Sequence, residues 1–361
     1  MSWNGGGAQE GVRFMVSQKV NLKKFEKQLE GLDIAEKIFI DILTDGIGSL
    51  TADNERDFKN YAQIMSNHYL NKFKMLFERM SSDLHFMVSN QIQSEEIFHG
   101  ILDDIVFMQS SVHKIRMKLK EKVESCDGTI DAELRGLIEY NVNVLRSKTD
   151  FKNNVCIFPL SFHCVYDSNI RCWYQRYFWI DMEDGSIYHT LDRLKNRPVN
   201  VIPKEHLFKK HHVTELYYAS DDYNGLINWN NKEAVALDSD DYLKLISFAE
   251  TDIPTAVNKM KGYIKNTLNE KCYPVILPVL SVGMVGNSLV MEDDKHFRIV
   301  LRQQDNIDST NRSICHLMDL PYEYKERQSV FGILFYNEAD FTIYFHPHTL
   351  FTQNKIYRLI D

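Results

Sequence analysis

Proline is missing from the first 158 residues of this 361-residue chain, and all eight prolines fall between Pro159 and Pro347. Proline removes a backbone donor and collides with the preceding helical turn. Its absence lifts the commonest barrier to long helices from the first part of the chain. No two of the six cysteines (126, 156, 164, 172, 272 and 315) have the CxxC spacing of a zinc ribbon or redox motif. A chain of this size needs no disulfide framework. The thiols are therefore expected to be reduced and mostly buried in an intracellular protein. No run of 18 apolar residues occurs, which excludes a membrane-spanning helix. Met1–Glu10 is polar and Gly-rich and has no apolar signal core. Basic residues are in deficit: 42 Lys and Arg against 50 Asp and Glu leave a net charge of -8, which disfavours a general nucleic-acid binder. GxSxG, Walker A, HExxH and strand-linked GxGxxG patterns are also absent. No cofactor and no small-molecule substrate are implied.

What is present divides into two parts. Residues 1–12, with Gly5, Gly6 and Gly7 in a row, are expected to form a disordered tail. From Val20 the apolar residues recur at three- and four-residue steps: Leu22, Phe25, Leu29, Leu32, Ile38, Ile42. That spacing marks one buried helix stripe. Thr44–Gly48 interrupts it, and Thr51 or Asp53 caps the next helix. A second stripe continues from Phe58 to Val123, with breaks expected near Ser81-Ser82 or Gly100. A last helix is predicted over about 130–147. The stripe is rich in Met, Phe and Tyr, so residues 13–150 read as a helical bundle, with an elongated self-pairing coiled coil as the alternative.

Near residue 155 the period changes from 3.6 to 2. Val155–Tyr166 is apolar and aromatic, and Cys172–Asp181 is followed by Asp184-Gly185 and the alternating run Ser186–His189. This is a hairpin signal. Further strands are predicted at 199–202, 213–219, 226–229, 234–237 and 242–248. A helix capped by Thr251 or Asp252 carries Pro254 in its first turn. Strands at 275–280, 297–301, 330–335 and 341–345 follow, with no helix expected among them. Residues 271–361 form either a second β-rich domain or a continuation of the same sheet structure. The fold class is therefore α+β in two parts.

Trp173, Arg176, Phe178, Ile180, Gly185 and Ile187, with the helix at 254–268, resemble the aromatic hairpin and closing helix of pleckstrin-homology (PH) domains. The resemblance covers residues 154–270. A helical region ahead of such a module is similar to BAR–PH membrane-remodelling proteins. It implies a β-rich binding module and contact with a protein or membrane. The loop from Asp167 to Arg171 offers a single basic residue, where phosphoinositide-binding members present several.

Two basic clusters are candidate contacts for a partner or an anionic membrane. Lys114, Arg116, Lys118, Lys120 and Lys122 form one, and Lys209 and Lys210 the other. A run of cations at a helix C-terminus also suits the helix dipole. His346-Pro347-His348 presents two imidazoles on one side of a strand without a third ligand, and reads as surface histidines. Asp238, Asp240 and Asp241 read as an acidic loop that lacks the further oxygens Ca²⁺ needs. Asp319, Glu323 and Lys325 have the acidic–ExK spacing of a divalent-metal-dependent nuclease. The reading chosen is a cytoplasmic scaffold rather than an enzyme, with peripheral membrane association as an option. It self-associates through the helical half and binds a protein or a membrane through the β-rich half. A coat or shell subunit is the structural alternative, and the nuclease the catalytic one.

Overall fold

The computed structural model describes residues 6–90, 94–130, 132–138, 151–167, 172–194, 208–218, 225–265, 271–304, 312–324, 326–337 and 340–360. Two compact units, Met1–Val144 and Leu145–Asp361, divide the chain, the first helical and the second β-rich. The two-part α+β organisation is thus present.

In the first unit, α1 (Gly6–Asp45) leads through a short 3-10 turn to α2 (Ala52–Asn67), α3 (Asn71–Asn90), α4 (Glu95–Glu124) and α5 (Ala132–Ile138). The expected tail is corrected in part, because α1 takes in the segment from Gly6 onward. Beyond Gly7 that segment has only Gly11 against helix. The long stripe does not break at Ser81-Ser82 or at Gly100. Ser81 is buried and donates to the Glu55 carbonyl of α2 at 3.1 Å, while Ser82 bonds back to Glu78 O within its own helix. The breaks fall instead ahead of α4, where Ser94 has an extended backbone, and at Tyr69, whose φ of 58° is left-handed. There Leu70 N donates to Met65 O at 2.9 Å, closing α2 in the manner of a Schellman turn without glycine. Ser94 caps α4. Residues 139–147 of the last predicted helix lie outside the described residues.

The helices are held by a phenylalanine core. Phe39 of α1 lies 6.2 Å from Phe73 and 6.1 Å from Phe77 of α3, and Phe58 of α2 lies 6.2 Å from Phe77. Each such buried ring contributes about 2–3 kcal/mol. Arg116 of α4 reaches Glu36 at 2.8 Å and Asp33 at 2.9 Å on α1. Asn21 meets Gly128 O at 2.8 Å, so α1 and α4 run antiparallel. Arg79 of α3 donates to the buried Asp104 of α4 at 2.7 Å. Side chains from three helices meet in one core, which is a bundle and not a two-stranded coil.

Among the described residues the second unit holds thirteen strands and three α-helices. The first sheet contains β1 (Phe151–Asp167), β2 (Cys172–Asp181), β3 (Ile187–Leu194), β4 (Lys209–Tyr218), β5 (Ile227–Trp229) and β6 (Lys232–Ala236). Its order is β3-β2-β1-β4-β5, with β6 also on β4. The sheet curls until its ends meet, with His189 N on β3 donating to Gly225 O beside β5 at 2.9 Å. Inside this near-barrel sit Val155, Ile157, Tyr177, Trp179, Val213 and Leu216. The expected hairpin turn is present, with Gly185 at φ 77° and a β2–β3 ladder.

Next come α6 (Ser239–Ser247), α7 (Ile253–Ile264) and β7 (Cys272–Val279), then β8 (Ser281–Val285), β9 (Ser288–Glu292) and β10 (Arg298–Val300). Last are α8 (Ser313–Asp319), β11 (Gln328–Asn337), β12 (Thr342–Phe351) and β13 (Ile356–Arg358). The second sheet has the order β13-β12-β11-β7, and β10-β9-β8 form a third. Phe158, Leu160, Phe178 and Ile180 of the first sheet share one core with Ile276, Phe331, Ile333 and Phe351 of the second. Residues on either side of position 270 therefore belong to one body. Val330, Leu334, Phe345 and Leu350 of the second sheet pack on Ala256 and Met260 of α7 and Leu317 of α8.

Two expectations are corrected. The segment 242–248, read as a strand, forms the rest of α6 and its C-cap Phe248, because Asp238 accepts from the amides of Asp240 and Asp241 and so nucleates a helix. α8 also stands where no helix was expected. It has only seven residues, too few for its periodicity to register. The strand predicted at 199–202 lies outside the described residues. The predicted helix after Asp252 is α7, with Asp252 Oδ1 accepting from Thr255 N at 2.7 Å.

Gly31 in mid-α1 is fixed by proximity. A methyl there would lie 2.5 Å from His68 Cβ, at the turn between α2 and α3. Gly100 of α4 faces open space. Alanine favours helix over glycine by about 1 kcal/mol at either position, but overpacking at Gly31 costs about 1–3 kcal/mol. Gly100→Ala should therefore raise the thermal midpoint followed by circular dichroism, and Gly31→Ala should lower it. A rise for both would refute the close approach.

Candidate functional site

Two strands of the second unit carry a proline in mid-ladder. In β1 the register on β2 shifts between Pro159 and Ser161, leaving Leu160 without a cross-strand partner. In β12 the register on β11 shifts at Pro347, leaving His348 without one. Proline has no N–H for the ladder, and an extra residue absorbs the fault as a bulge. The two bulges are tied together. Thr349 Oγ1 donates to Leu160 O at 2.5 Å. The Arg358 guanidinium on β13 donates to the carbonyls of both Pro159 and Leu160, and to Thr349 Oγ1 at 3.1 Å. Desolvation pushes the Arg358 pKa down to about 9. Gly332 lies opposite Pro347, where a Cβ would run into the His346 carbonyl and the Phe345 ring.

Around these bulges lies the densest group of imidazoles in the described residues. His346 and His348 are fully buried, and His163 of β1 nearly so. The His346 and His348 rings are 4.6 Å apart, and those of His163 and His348 5.7 Å. Four groups are hydrogen-bonded in series. Ser161 Oγ is 2.9 Å from His348 Nδ1, His348 Nε2 is 3.3 Å from His346 Nδ1, and His346 Nε2 is 2.8 Å from Ser313 Oγ at the start of α8. With both rings neutral, the series closes in either direction. Ser161 donates and Ser313 accepts, or every bond reverses. Burial pushes the His346 pKa down to about 4, and burial, with a smaller contribution from His346 and His163, holds His348 well below the usual imidazole range. Neither ring holds a charge at neutral pH.

His346 and His348 are thus neighbours on one strand, as the sequence suggested, but they are core residues and not surface ones. Among the described residues no three His, Cys, Asp or Glu side chains are placed to hold a metal ion. Asp238 and Asp241 spend their carboxylates on the α6 cap and on Lys210, which reaches Asp241 at 2.6 Å and Asp238 at 3.3 Å. Lys209 and Lys210 are half-buried. On α4, Arg116 is committed to α1, and Lys122 binds Asp127 at 3.0 Å and Thr129. Lys114 and Lys118 are half-buried and Lys120 is exposed. The first cluster is therefore spread around the helix and partly neutralised. Asp319 and Glu323 are exposed, at the end of α8 and in the following 3-10 turn, and Lys325 lies outside the described residues.

The five described cysteines are free thiols; Cys126 and Cys315 are exposed, which corrects the expectation of general burial. Both sit at or beside helix ends, where side chains face water. Two clefts open elsewhere on the second unit. One of about 440 Å³ is lined by Asp184, Phe248, Glu250, Lys259, Tyr263 and Tyr273. Another of about 450 Å³ is lined by Ile253, Val257, Lys261, Arg298, Ile299 and Phe341. Neither takes in the histidine array. Ser161, His163, Ser313 and Arg358 escaped the sequence reading because no spacing links residues so far apart. The prolines at 159 and 347 were the available signal, since each marks a fault in a strand. Comparison with protein-family models and with curated proteins finds no match.

An unfolded histidine titrates near 6.5 and folded His346 near 4. Between those values the unfolded chain binds more protons, so stability is complete above the unfolded pKa and falls as pH drops through the window. His346 alone should cost about 1.4 kcal/mol per pH unit there, roughly 3 kcal/mol in all. Urea midpoints between pH 4 and 7 should show this slope, and His346→Gln should flatten it. An unchanged slope would refute the assignment. Arg358→Met should lower stability by about 2–4 kcal/mol at all pH values, because two carbonyls lose their donor. A loss below about 0.5 kcal/mol would show that the bulges hold without it.

Proposed function

We propose that this chain is a non-catalytic interaction protein whose helical unit self-associates and whose β-rich unit binds a second protein. The observation that carries this reading is where large apolar side chains remain on the surface. In the β-rich unit four of them fall beside strand ends of the second and third sheets. Met284 and Val285 stand at the β8–β9 turn, Phe297 before β10, and Phe341 before β12. Phe341 is 79% exposed, with a left-handed φ of 56°. An aromatic held out at such a backbone costs about 1–3 kcal/mol, and strain of this kind gathers at binding sites. It borders the apolar 450 Å³ cleft whose cations are Lys261 and Arg298. In the helical unit, Leu102, Val106 and Met117 are exposed on α4. Apolar side chains left exposed are a resource for association where they gather into a patch.

Residues 154–270 serve in this proposal as a PH-like module that binds protein. The engagement of Arg116, Lys122 and Lys210 in internal ion pairs weighs for a protein partner over an anionic membrane. No helix among the described residues is long and apolar enough to cross a membrane. Light scattering coupled to size-exclusion chromatography, across a wide concentration range, should give the mass of a dimer or larger. A monomer mass at every concentration would overturn self-association.

A further inference from the structure

The chain just after β10 meets β12 at one parallel bridge, Leu301 to Phe345, where Arg302 N donates to Phe345 O at 3.1 Å. Ahead of that bridge the two strands part, β10 staying with β9 and β12 with β11. The wedge between them is the cleft of about 450 Å³, lined by Ile253, Val257 and Ile264 of α7 together with Ile299 and Ile343. Strand alternation sets which backbone groups face into it. Leu301 N is spent on Leu289 O of β9 at 2.8 Å, so the Val300 N–H, one residue back, faces the other way. Phe345 O faces β10, and two residues earlier the N–H and C=O of Ile343 do the same. The wedge therefore pairs apolar walls with open backbone groups along three residues, about 10 Å. Its charge is positive, because Lys261 and Arg298 line it and no acidic side chain does. Arg298 is shared with Glu292, 2.6 Å from its Nε. The acids next in sequence to the lining are engaged as well, Asp252 with Lys295 at 2.6 Å and Asp340 with Arg302 at 3.3 Å. Lys261 is exposed and meets no carboxylate among the described residues. Asp340 also accepts from Thr342 N at 3.2 Å and Tyr344 Oη at 2.7 Å, which fixes the backbone that holds Phe341 out at the rim.

We propose that this wedge receives the free C-terminus of a partner polypeptide that ends in an apolar residue. The inference rests on the reading above that the β-rich unit binds a second protein, and it names the segment bound. The bridge at Leu301 and Phe345 closes one end of the wedge. A strand passing through would collide with it, and a chain end would not. Lys261 selects the carboxylate end of a chain over the ammonium end. The last side chain packs on Val257, Ile264 and Ile299, the terminal carboxylate pairs with Lys261, and the extended backbone adds to the Ile343 edge of β12. Strand addition of this kind draws affinity from main-chain bonds and specificity from the side-chain pocket. The volume lies toward the small end of ligand sites, about 300–1,000 Å³, which suits a few residues and not a folded domain. The opposite edge of the same sheet is shut to such pairing. On β7, Ile276 O accepts from Glu250 N, and Pro274 and Pro278, two residues to either side, have no N–H to offer.

Fluorescence anisotropy of the full chain with fluorescein-labelled hexapeptides tests this. The probes have mixed internal sequence and end in isoleucine, as the free acid or as the amide. The free acid should bind with a dissociation constant of about 100 μM or tighter, and the amide about tenfold more weakly. Lys261→Glu, at an exposed position, should weaken the free acid by about tenfold or more. Phe341→Gly removes the rim aromatic and relieves the left-handed backbone, so it should weaken binding by about threefold without lowering the thermal midpoint. Dodecanoate, an apolar carboxylate without peptide groups, should compete less well than unlabelled peptide. Equal affinity for acid and amide, both weakened by Phe341→Gly, overturns the C-terminal assignment and leaves the protein-binding reading standing on an internal segment. No binding of either peptide at about 1 mM overturns this inference alone, since a folded partner on another surface is untouched by it. Dodecanoate binding more tightly than every peptide overturns both readings of the cleft and assigns it to a small apolar acid.

Discussion

A donor fork from Arg358 holds two faults in place at once. The carbonyls of Pro159 and Leu160 point out of a ladder that has lost its partner residues, and in a protein interior such oxygens are costly unless they are bonded. One guanidinium and the Thr349 hydroxyl satisfy them. The arrangement joins the first and last strands of the β-rich unit. The shared core of Phe158, Phe178, Ile276 and Phe331, and the seating of the histidine array, follow from that join. Without it the two sheets would keep their separate hydrogen bonds but lose the register of one against the other.

The array beside the clamp is polar without being accessible. The three hydrogen bonds that link Ser161, His348, His346 and Ser313 close within the protein, which is the condition for burying polar groups at little cost. Ser313 brings α8 into the series, so a seven-residue helix that could not persist alone is anchored at its first residue. The functional reading therefore rests on the surface, where the apolar side chains beside strand ends and on α4 have no internal counterpart to the occupied lysines and arginines.

Much of this architecture was legible in the sequence, for identifiable reasons. The change of period near residue 155, the Asp184-Gly185 turn and the Asp252–Pro254 helix start are local signals, and local signals decide local structure. The errors came where a distant group overrode a neighbour. Ser81 looked like a helix break but is satisfied by a carbonyl of another helix. Tyr69 took the left-handed position usually given to glycine, supported by Leu70 packing into the core. At 242–248 the alternation of apolar residues outweighed an Asp cap that sat in plain view. The histidine array was half visible, in His346 and His348. Its other members come from β1 and α8, and only the fold brings them near.

The reach of Arg358 across 198 and 199 residues also sets an order of events during synthesis. The helical unit is complete in sequence before β1 begins, and its contacts form while later residues are still being made. β1 has no such freedom. Its bulge carbonyls stay open to water until residue 358 has left the ribosome, and the first sheet must wait for the second with its apolar face uncovered. Non-local pairing of this kind folds slowly and exposes strand edges meanwhile. The protein's exposure to misassembly is therefore concentrated in the interval between the first proline-marked strand and the last one.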